Sequence, residues 1–92
     1  MLTLETTAQF RRDYKRIKKR GYNLKLLEAV IDALLAGEKL DPKHRDHALT
    51  GSMRDYRECH ILPDWLLMYR IEGERLVLVA NRTGTHADLF DE

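Results

Sequence analysis

The fold expected for this chain is decided by the stretch Cys59-His60-Ile61-Leu62-Pro63-Asp64-Trp65-Leu66-Leu67-Met68-Tyr69. Apolar residues run on both sides of Pro63-Asp64, a pair that suits the two central positions of a tight turn. The stretch therefore predicts two strands joined in a hairpin. Residues 65–71 are apolar on both faces, which indicates a central strand. A histidine, a carboxylate and a tryptophan consequently meet at one end of this hairpin.

The remaining elements are predicted from periodicity, capping residues and turn signals. In chain order we expect a strand over 2–4, a helix over 7–20, a second helix capped by Asn23 and ended by Gly37, a loop over 38–52, strands over 53–61, 65–71 and 76–80, and a short helix over 86–90. Glu72-Gly73 is the turn signal between the last two strands. No repeat or low-complexity segment interrupts this order.

These elements predict an α+β fold in a single domain over residues 1–92, in the order β-α-α-β-β-β with a short C-terminal helix. We expect the two N-terminal helices on one face of a small, mainly antiparallel, four-stranded sheet. Two helices cover only one face of such a sheet. The opposite face of the central strand is then free to form a groove.

Composition excludes several classes of protein. The single cysteine, Cys59, rules out an intrachain disulfide framework and a cysteine-rich zinc site, and its apolar strand position predicts a small core residue. No apolar run is long enough to span a bilayer, and the N-terminus lacks the apolar region of a signal peptide. We therefore expect a protein of the cytoplasm without a membrane partner.

Positive charge is concentrated in one predicted helix, although the net charge of the chain is only +1. Residues 11–20 read RRDYKRIKKR, with seven bases and one acid, while acids gather at 72–74 and 88–92. Phe10, Tyr14 and Ile17 form the apolar face of this helix, so the bases lie on its other side. Such a stripe is expected for binding a nucleic acid or an acidic protein. A solvated helix face, balanced by acids elsewhere, is the alternative.

The register of the two predicted hairpins brings four polar side chains to one end of the sheet. His60 lies across the first hairpin from the start of the central strand. If Glu72-Gly73 is the second turn, Arg82 lies within about one residue of the level of Asp64. His86 leaves the last strand four residues after Arg82. We therefore expect these side chains around one phosphate-sized site.

Two imidazoles, a carboxylate and a guanidinium suit the cleavage of RNA by its own 2′-hydroxyl. Histidine titrates near neutrality and can act as acid or base, each transfer contributing roughly 10²–10⁴-fold in rate. Asp64 could orient an imidazole, and Arg82 could hold the phosphate. Alternatively, His60, Asp64 and His86 could bind a metal ion, since three such ligands suffice, although no HExxH-like spacing supports this.

Three motifs of the sequence resemble the YafQ branch of the RelE/ParE-type toxins, in the same order and over almost the whole chain. They are Arg45-Asp46-His47-x-Leu49-x-Gly51, then Tyr56-Arg57-x-x-His60-x-x-Pro63-Asp64-Trp65-Leu66-Leu67-x-Tyr69, then Arg82-Thr83-Gly84-Thr85-His86-x-x-Leu89-Phe90. The resemblance implies a RelE-like single domain. It further implies a ribosome-dependent endoribonuclease of a type II toxin–antitoxin pair, which cuts mRNA in the ribosomal A site without a metal or other cofactor.

The resemblance also implies partners and site residues. The expected partners are a cognate antitoxin, the 70S ribosome and mRNA. Residues that match the family's active site are His47, His60, Asp64 and His86. Those expected to contact substrate are Arg82, Trp65, Phe90 and Arg57. The bases of the first helix that we expect to bind the ribosome are Arg11, Arg12, Lys15, Arg16, Lys18 and Lys19.

Two other functions remain open at this point. A ParE-type toxin has the same fold but inhibits gyrase, and a non-catalytic binding module could use the basic helix alone. Neither needs two titrating imidazoles, so His60 and His86 favour the nuclease.

Overall fold

The computed structural model describes residues 1–90, which form three α-helices, five β-strands and two 3₁₀ turns. In chain order the elements are β1 (Thr3–Thr6), α1 (Ala8–Lys19), α2 (Leu24–Leu35), a 3₁₀ turn (Pro42–His44), β2 (His47–Ala48), a second 3₁₀ turn (Gly51–Met53), β3 (Arg57–Leu62), β4 (Trp65–Glu72), β5 (Val77–Gly84) and α3 (His86–Phe90). Asp91 and Glu92 lie outside the described residues. They are the last two residues of the predicted acidic segment 88–92 and of the domain expected over 1–92.

The strands form a mixed sheet in the order β1-β5-β4-β3-β2, in which β1 runs parallel to β5 and the other neighbours are antiparallel. The predicted α+β architecture is confirmed, with β4 in the centre. The sheet has five strands rather than four, because His47–Ala48 pairs with β3 inside the stretch expected to be a loop. Two residues are too few for an alternating pattern. Similarly, β3 begins at Arg57 rather than Met53, since a 3₁₀ turn precedes it.

Both long helices begin after a polar residue that caps them, and for α2 this is Asn23, as expected. Thr7 Oγ1 accepts a hydrogen bond from the amide of Phe10 at 3.0 Å, and Asn23 Oδ1 accepts one from the amide of Lys25 at 3.2 Å. Each side chain thereby satisfies an amide that the first helical turn leaves without a partner. Among residues 1–90, no helix combines the length and the apolar character needed to cross a membrane.

The hydrophobic core lies between α1 and α2 and one face of the sheet. Trp65 is 2% exposed, packs edge-on against Tyr22 with ring centroids 4.9 Å apart, and donates its indole N–H to Thr83 Oγ1 at 2.9 Å. Cys59 is fully buried, which confirms its prediction as a small core residue. The hairpin therefore gives Trp65, Leu67 and Tyr69 to this face and leaves the alternate residues, Leu66 and Met68 among them, for the other.

Cys59 should resist thiol reagents in the folded protein. Burial, together with the nearby carboxylates of Asp46 and Glu58, raises the pKa of Cys59 to about 12, so little reactive thiolate forms at neutral pH. We expect a chromogenic disulfide reagent to label the chain only after unfolding in guanidinium, followed by absorbance against time. Equal labelling rates with and without the denaturant would contradict this expectation.

Candidate active site

The face of the sheet turned away from α1 and α2 carries two cross-strand rows of residues. Residues in direct register point to the same face of a sheet. The first row, from β2 to β5, is His47, Glu58, Met68 and Arg82. The second row, from β3 to β5, is His60, Leu66 and Gly84. The fold thus places three of the predicted site residues, His47, His60 and Arg82, on one face.

Glu58 lies between the two histidines of the site, although the sequence analysis did not single it out. Its side chain is only 6% exposed, and its Oε1 lies 3.9 Å from Nε2 of His60 and 3.8 Å from Nε2 of His86. Both distances are longer than a hydrogen bond, so Glu58 places a buried carboxylate near each imidazole without bonding directly to either. The sequence offered one indication of this placement: Glu58 precedes His60 by two residues, so both side chains point to the same face of the strand.

His60 is held in one tautomer by the hairpin turn. Its Nδ1 lies 3.2 Å from the carbonyl oxygen of Pro63, which can only accept a hydrogen bond, so Nδ1 carries the proton. In the neutral ring, Nε2 then has a free lone pair on the side of Glu58. The backbone of the Pro63-Asp64 turn therefore leaves His60 ready to accept a proton at Nε2.

His86 is the first residue of α3, and its ring centroid lies 6.0 Å from that of His60. The ring of Phe90, one turn further along α3, lies 6.0 Å from the ring of His86. The side chain of His86 is 45% exposed, which leaves it accessible to a substrate. The structure thus brings together His60 and His86, two of the four residues expected around one site, and adds Phe90 beside His86.

The guanidinium of Arg82 is fixed by groups of the protein itself. Its Nε and Nη2 donate to the carboxylate of Asp13 at 2.7 and 3.2 Å, and Nη2 also donates to the carbonyl of Asp88 at 3.0 Å. Asp13 belongs to α1 and is fully buried. Any contact of Arg82 with a phosphate would therefore come from a guanidinium already held in place.

The Arg45-Asp46-His47 motif fastens β2 to the sheet. The carboxylate of Asp46 accepts hydrogen bonds from the Tyr69 hydroxyl and from Nε and Nη2 of Arg57, the last two at 3.3 and 3.2 Å. Arg45 has a left-handed backbone, with φ at 48°, and its carbonyl accepts a hydrogen bond from His47 Nδ1 at 2.6 Å. These contacts hold the exposed His47 at the end of the first row.

Three predicted site residues lie away from the histidine pair. Trp65 is a core residue, so its expected contact with substrate is corrected: a buried indole offers no face to a base. Arg57 is in register with Tyr69 on the helix-facing side and pairs with Asp46. Asp64 is exposed in the turn, and within the described part of the chain no ion pair joins it to either histidine.

A cleft of about 500 Å³ opens beside the first row. Met68 and Arg82 line it together with the rings of Tyr56 and Phe90. Aromatic side chains next to cationic groups form stacking surfaces for single-stranded nucleic acid. Tyr56 belongs to the second family motif but was not expected in the site, because only the three-dimensional structure places it in the same cleft as Phe90.

The predicted cationic stripe of α1 is present. Some of its bases line a depression on the surface, and some form hydrogen bonds within the protein. A shallow depression is lined by Arg12, Lys15, Arg16, Lys19 and Arg20. Of the bases expected to bind the ribosome, Arg11 donates to Thr6 at 2.9 and 3.0 Å, and Arg16 donates to Asp13 at 2.7 Å. Lys18 is exposed outside the depression. Arg11 and Arg16 are therefore engaged within the protein.

The sequence and the structure both match known proteins. The family described as bacterial toxin of type II toxin–antitoxin system, YafQ, matches residues 2–91. The chain is 35% identical over 88 residues to the mRNA interferase toxin YafQ of Escherichia coli strain K12, covering 95% of this chain and 94% of that protein.

Among solved structures, a metal-bound toxin from Helicobacter pylori is 44% identical, with a TM-score of 0.93 over 98% of this chain and 100% of that one. YafQ in the Escherichia coli DinJ–YafQ complex is 34% identical, with a TM-score of 0.89 over 98% of this chain and 99% of that one.

The two helices on a mixed sheet, with paired histidines on the open face, define a small toxin of the RelE superfamily. Within that class, the chain belongs to the YafQ family of bacterial toxins of type II toxin–antitoxin systems. The family resemblance predicted from the three motifs is confirmed. The ParE-type alternative is not favoured.

Acid should weaken the attachment of α3 to α1 through Asp88. Hydrogen bonds from Arg20 hold the pKa of Asp88 well below its usual range, against the opposing effect of burial. Since the pKa is lower in the folded than in the unfolded state, the stabilisation is complete above about pH 5 and is lost as the pH falls further.

Asp88→Asn should therefore remove part of the dependence of the free energy of unfolding on pH in the acid range, measured by urea titration at several pH values. Asp32→Asn, at an exposed aspartate of α2, is the matched control and should keep that dependence. Equal acid slopes for the wild type and Asp88→Asn would contradict the assignment.

Proposed function

We propose that this mRNA interferase toxin cleaves RNA by metal-independent proton transfer at His60 and His86, with Glu58 stabilising the protonated ring. The observation that carries the proposal is the approach of both Nε2 atoms to the same buried oxygen of Glu58, at 3.9 and 3.8 Å. An acid and a base must act on the two sides of one phosphate. Two imidazoles with ring centroids 6.0 Å apart suit that separation.

In the proposed reaction, Nε2 of His60 takes the proton of the 2′-hydroxyl, and the 2′-oxygen attacks the adjacent phosphorus. The bond from phosphorus to the 5′-oxygen breaks, and His86, as the imidazolium, gives its proton to that oxygen. The products carry a 2′,3′-cyclic phosphate and a 5′-hydroxyl. Glu58 stabilises the ring that is protonated at each stage, and Arg82 contributes fixed positive charge near the phosphate.

The other predicted residues have supporting roles in this proposal. Phe90, with Tyr56, offers a surface on which a base next to the scissile bond can stack. His47 lies in the same row as Glu58 and is proposed to contact the substrate from the edge of the sheet. Asp64 is proposed to act on His60 through the turn that fixes its tautomer, rather than by direct contact.

The setting of the reaction is also proposed. The exposed bases of α1 are expected to bind ribosomal RNA, so that mRNA in the A site of the 70S ribosome reaches the histidine pair. Because that substrate is in the cytoplasm, the toxin is expected to act there. We also expect residues 1–92 to act as one domain. YafQ of Escherichia coli forms a complex with DinJ, and we expect a cognate antitoxin to bind this toxin too.

His86→Ala and Glu58→Gln should each lower the rate of mRNA cleavage on translating ribosomes. Removal of His86 eliminates the proposed acid and should cost roughly 10²–10⁴-fold. Glu58→Gln keeps the shape of the side chain but removes the charge that stabilises an imidazolium. Transcript ends should be mapped by primer extension, with Glu74→Gln, at an exposed glutamate, as the charge-matched control.

Toxin that has been treated with EDTA and then desalted should cleave at the untreated rate when it is added to the same assay, whose ribosomes keep their Mg²⁺. Among residues 1–90, no group of three or more His, Cys, Asp or Glu side chains is arranged to hold a metal ion. A rate abolished by EDTA and restored by a metal would reject the proposed mechanism. Wild-type rates in both variants would remove His86 and Glu58 from it.

Reversal of two exposed charges on α1 should weaken association with the ribosome. The double variant Lys15→Glu/Lys19→Glu changes bases of the α1 depression, whereas Lys25→Glu/Lys39→Glu makes the same charge change away from it. Phosphate contacts depend on salt in proportion to their number, so only the first variant should flatten the dependence of binding on salt. Co-sedimentation with ribosomes over a salt series tests this, and equal effects of both variants would reject it.

A further inference from the structure

We infer that Asp88 is a positioning residue for His86: together with Arg20 it ties α3 to the end of α1 and holds the His86 ring beside Glu58. The inference rests on the proposed function, since it assigns a role to a residue that does not touch the reacting atoms. The ion pair spans 68 positions of sequence, and the sequence motifs give no role to either partner.

The helix that carries His86 needs an external attachment. α3 has only five residues, His86–Phe90, a little more than one turn. Isolated helices of this length are unstable in water, because the first turn fixes several residues in return for a single hydrogen bond. The direction of His86 must therefore be set by contacts of α3 with the rest of the protein.

Asp88 supplies the most direct of these contacts. Its carboxylate accepts hydrogen bonds from Nη1 and Nη2 of Arg20 at 2.7 and 3.1 Å, and Nε of Arg16 lies 3.9 Å away. A two-point contact between a guanidinium and a carboxylate fixes orientation as well as distance. The Asp88 side chain is 12% exposed and that of Arg20 is 39% exposed, so the pair is only partly shielded from solvent.

Asp88 also helps to cap the N-terminus of α3. The amide of Thr85 donates to Asp88 Oδ2 at 2.9 Å, and the amide of Asp88 donates to Thr85 Oγ1 at 3.1 Å, which is a reciprocal capping box. Gly84 makes room for this arrangement. Its φ is 145°, and a β-carbon at this position would lie 2.7 Å from Asp88 Oδ2.

The side chains of Asp88 and His86 point in different directions from α3, which separates the positioning role of Asp88 from the catalytic role of His86. His86 and Asp88 are two positions apart in the helix, so their side chains point to different sides of it. Asp88 reaches Arg20 of α1, whereas His86 reaches Glu58 of the sheet. Asp88 thus acts on His86 through the backbone of α3, which Arg82 also holds by its hydrogen bond to the Asp88 carbonyl.

Arg20 consequently has a different role from the exposed bases beside it. It shares the α1 depression with Lys19, but it is bound to a carboxylate of the site helix. The competing explanation is that Arg20 contacts ribosomal phosphate like its neighbours. The two explanations differ in the step of the reaction that Arg20 affects.

The test compares Arg20→Ala, Asp88→Asn and their double variant with Lys19→Ala as the matched control. Asn at position 88 retains an oxygen that can accept the Thr85 amide, so the helix cap is kept while the charged contact is removed. Single-turnover cleavage by ribosome-bound toxin and co-sedimentation with ribosomes are measured separately. Urea unfolding confirms that each variant is folded.

Both single variants should lower the cleavage rate of the bound toxin, by as much as roughly 10²-fold for a misplacement near 1 Å. Their association with the ribosome should stay unchanged. The double variant should be no slower than the slower single variant, since each removes the same contact. Lys19→Ala should show the reverse, with weaker association and an unchanged rate once bound.

A readout independent of activity is the nuclear Overhauser contact between the rings of His60 and His86. It should be present in the wild type and in Lys19→Ala, and lost in Arg20→Ala and Asp88→Asn. If the wild type cuts no RNA, the proposed function fails, but loss of this contact would still support the positioning role. Retention of the contact in both variants, or weaker ribosome association in Arg20→Ala with no effect of Asp88→Asn, would overturn the inference.

Discussion

The buried carboxylate of Asp13 is the constraint on which the rest of the structure depends. It is fully buried and accepts hydrogen bonds from Gln9, Arg16, Arg82 and the amide of Thr83. A charge removed from water is tolerated only when such partners replace its hydration, so the middle of α1 and the end of β5 are held together. Removal of a partner on either side would leave a charge poorly compensated inside the protein.

The two faces of the sheet are joined through this contact. On the core side, Thr83 accepts the indole N–H of Trp65 and donates to the carbonyl of Leu66, which fixes the hairpin end. On the open side, Arg82 extends from Asp13 to the backbone of α3 and so to the helix that carries His86. His86 is thereby positioned through contacts that lead back to the buried Asp13.

The fold was predictable because each long helix or strand shows the spacing of apolar residues typical of its type. Hairpin register was sufficient to bring His60 and His86 together, since an error of one residue still leaves them at the same end of the sheet. Register could not show that Asp64 is exposed and that, within the described residues, no ion pair joins it to either histidine. Glu58 and Asp13 were missed for another reason: a single acid in a charged segment is expected at the surface, and only its neighbours in space show that it is buried.

The basic run 11–20 contains one acid, Asp13, and its bases differ in whether they lie on the same side of the helix as this acid. Arg12, Lys15 and Lys19 follow the same spacing of three and then four residues as Asp13, Arg16 and Arg20, so each set forms a stripe along α1. The stripe that begins with an acid pairs within the protein. In the other, Arg12 donates to Gln9, and the two lysines are exposed to solvent. The stripes lie about 100° apart around the helix but line one depression, so a polyanion bound to Lys15 and Lys19 would lie next to the attachment of α3.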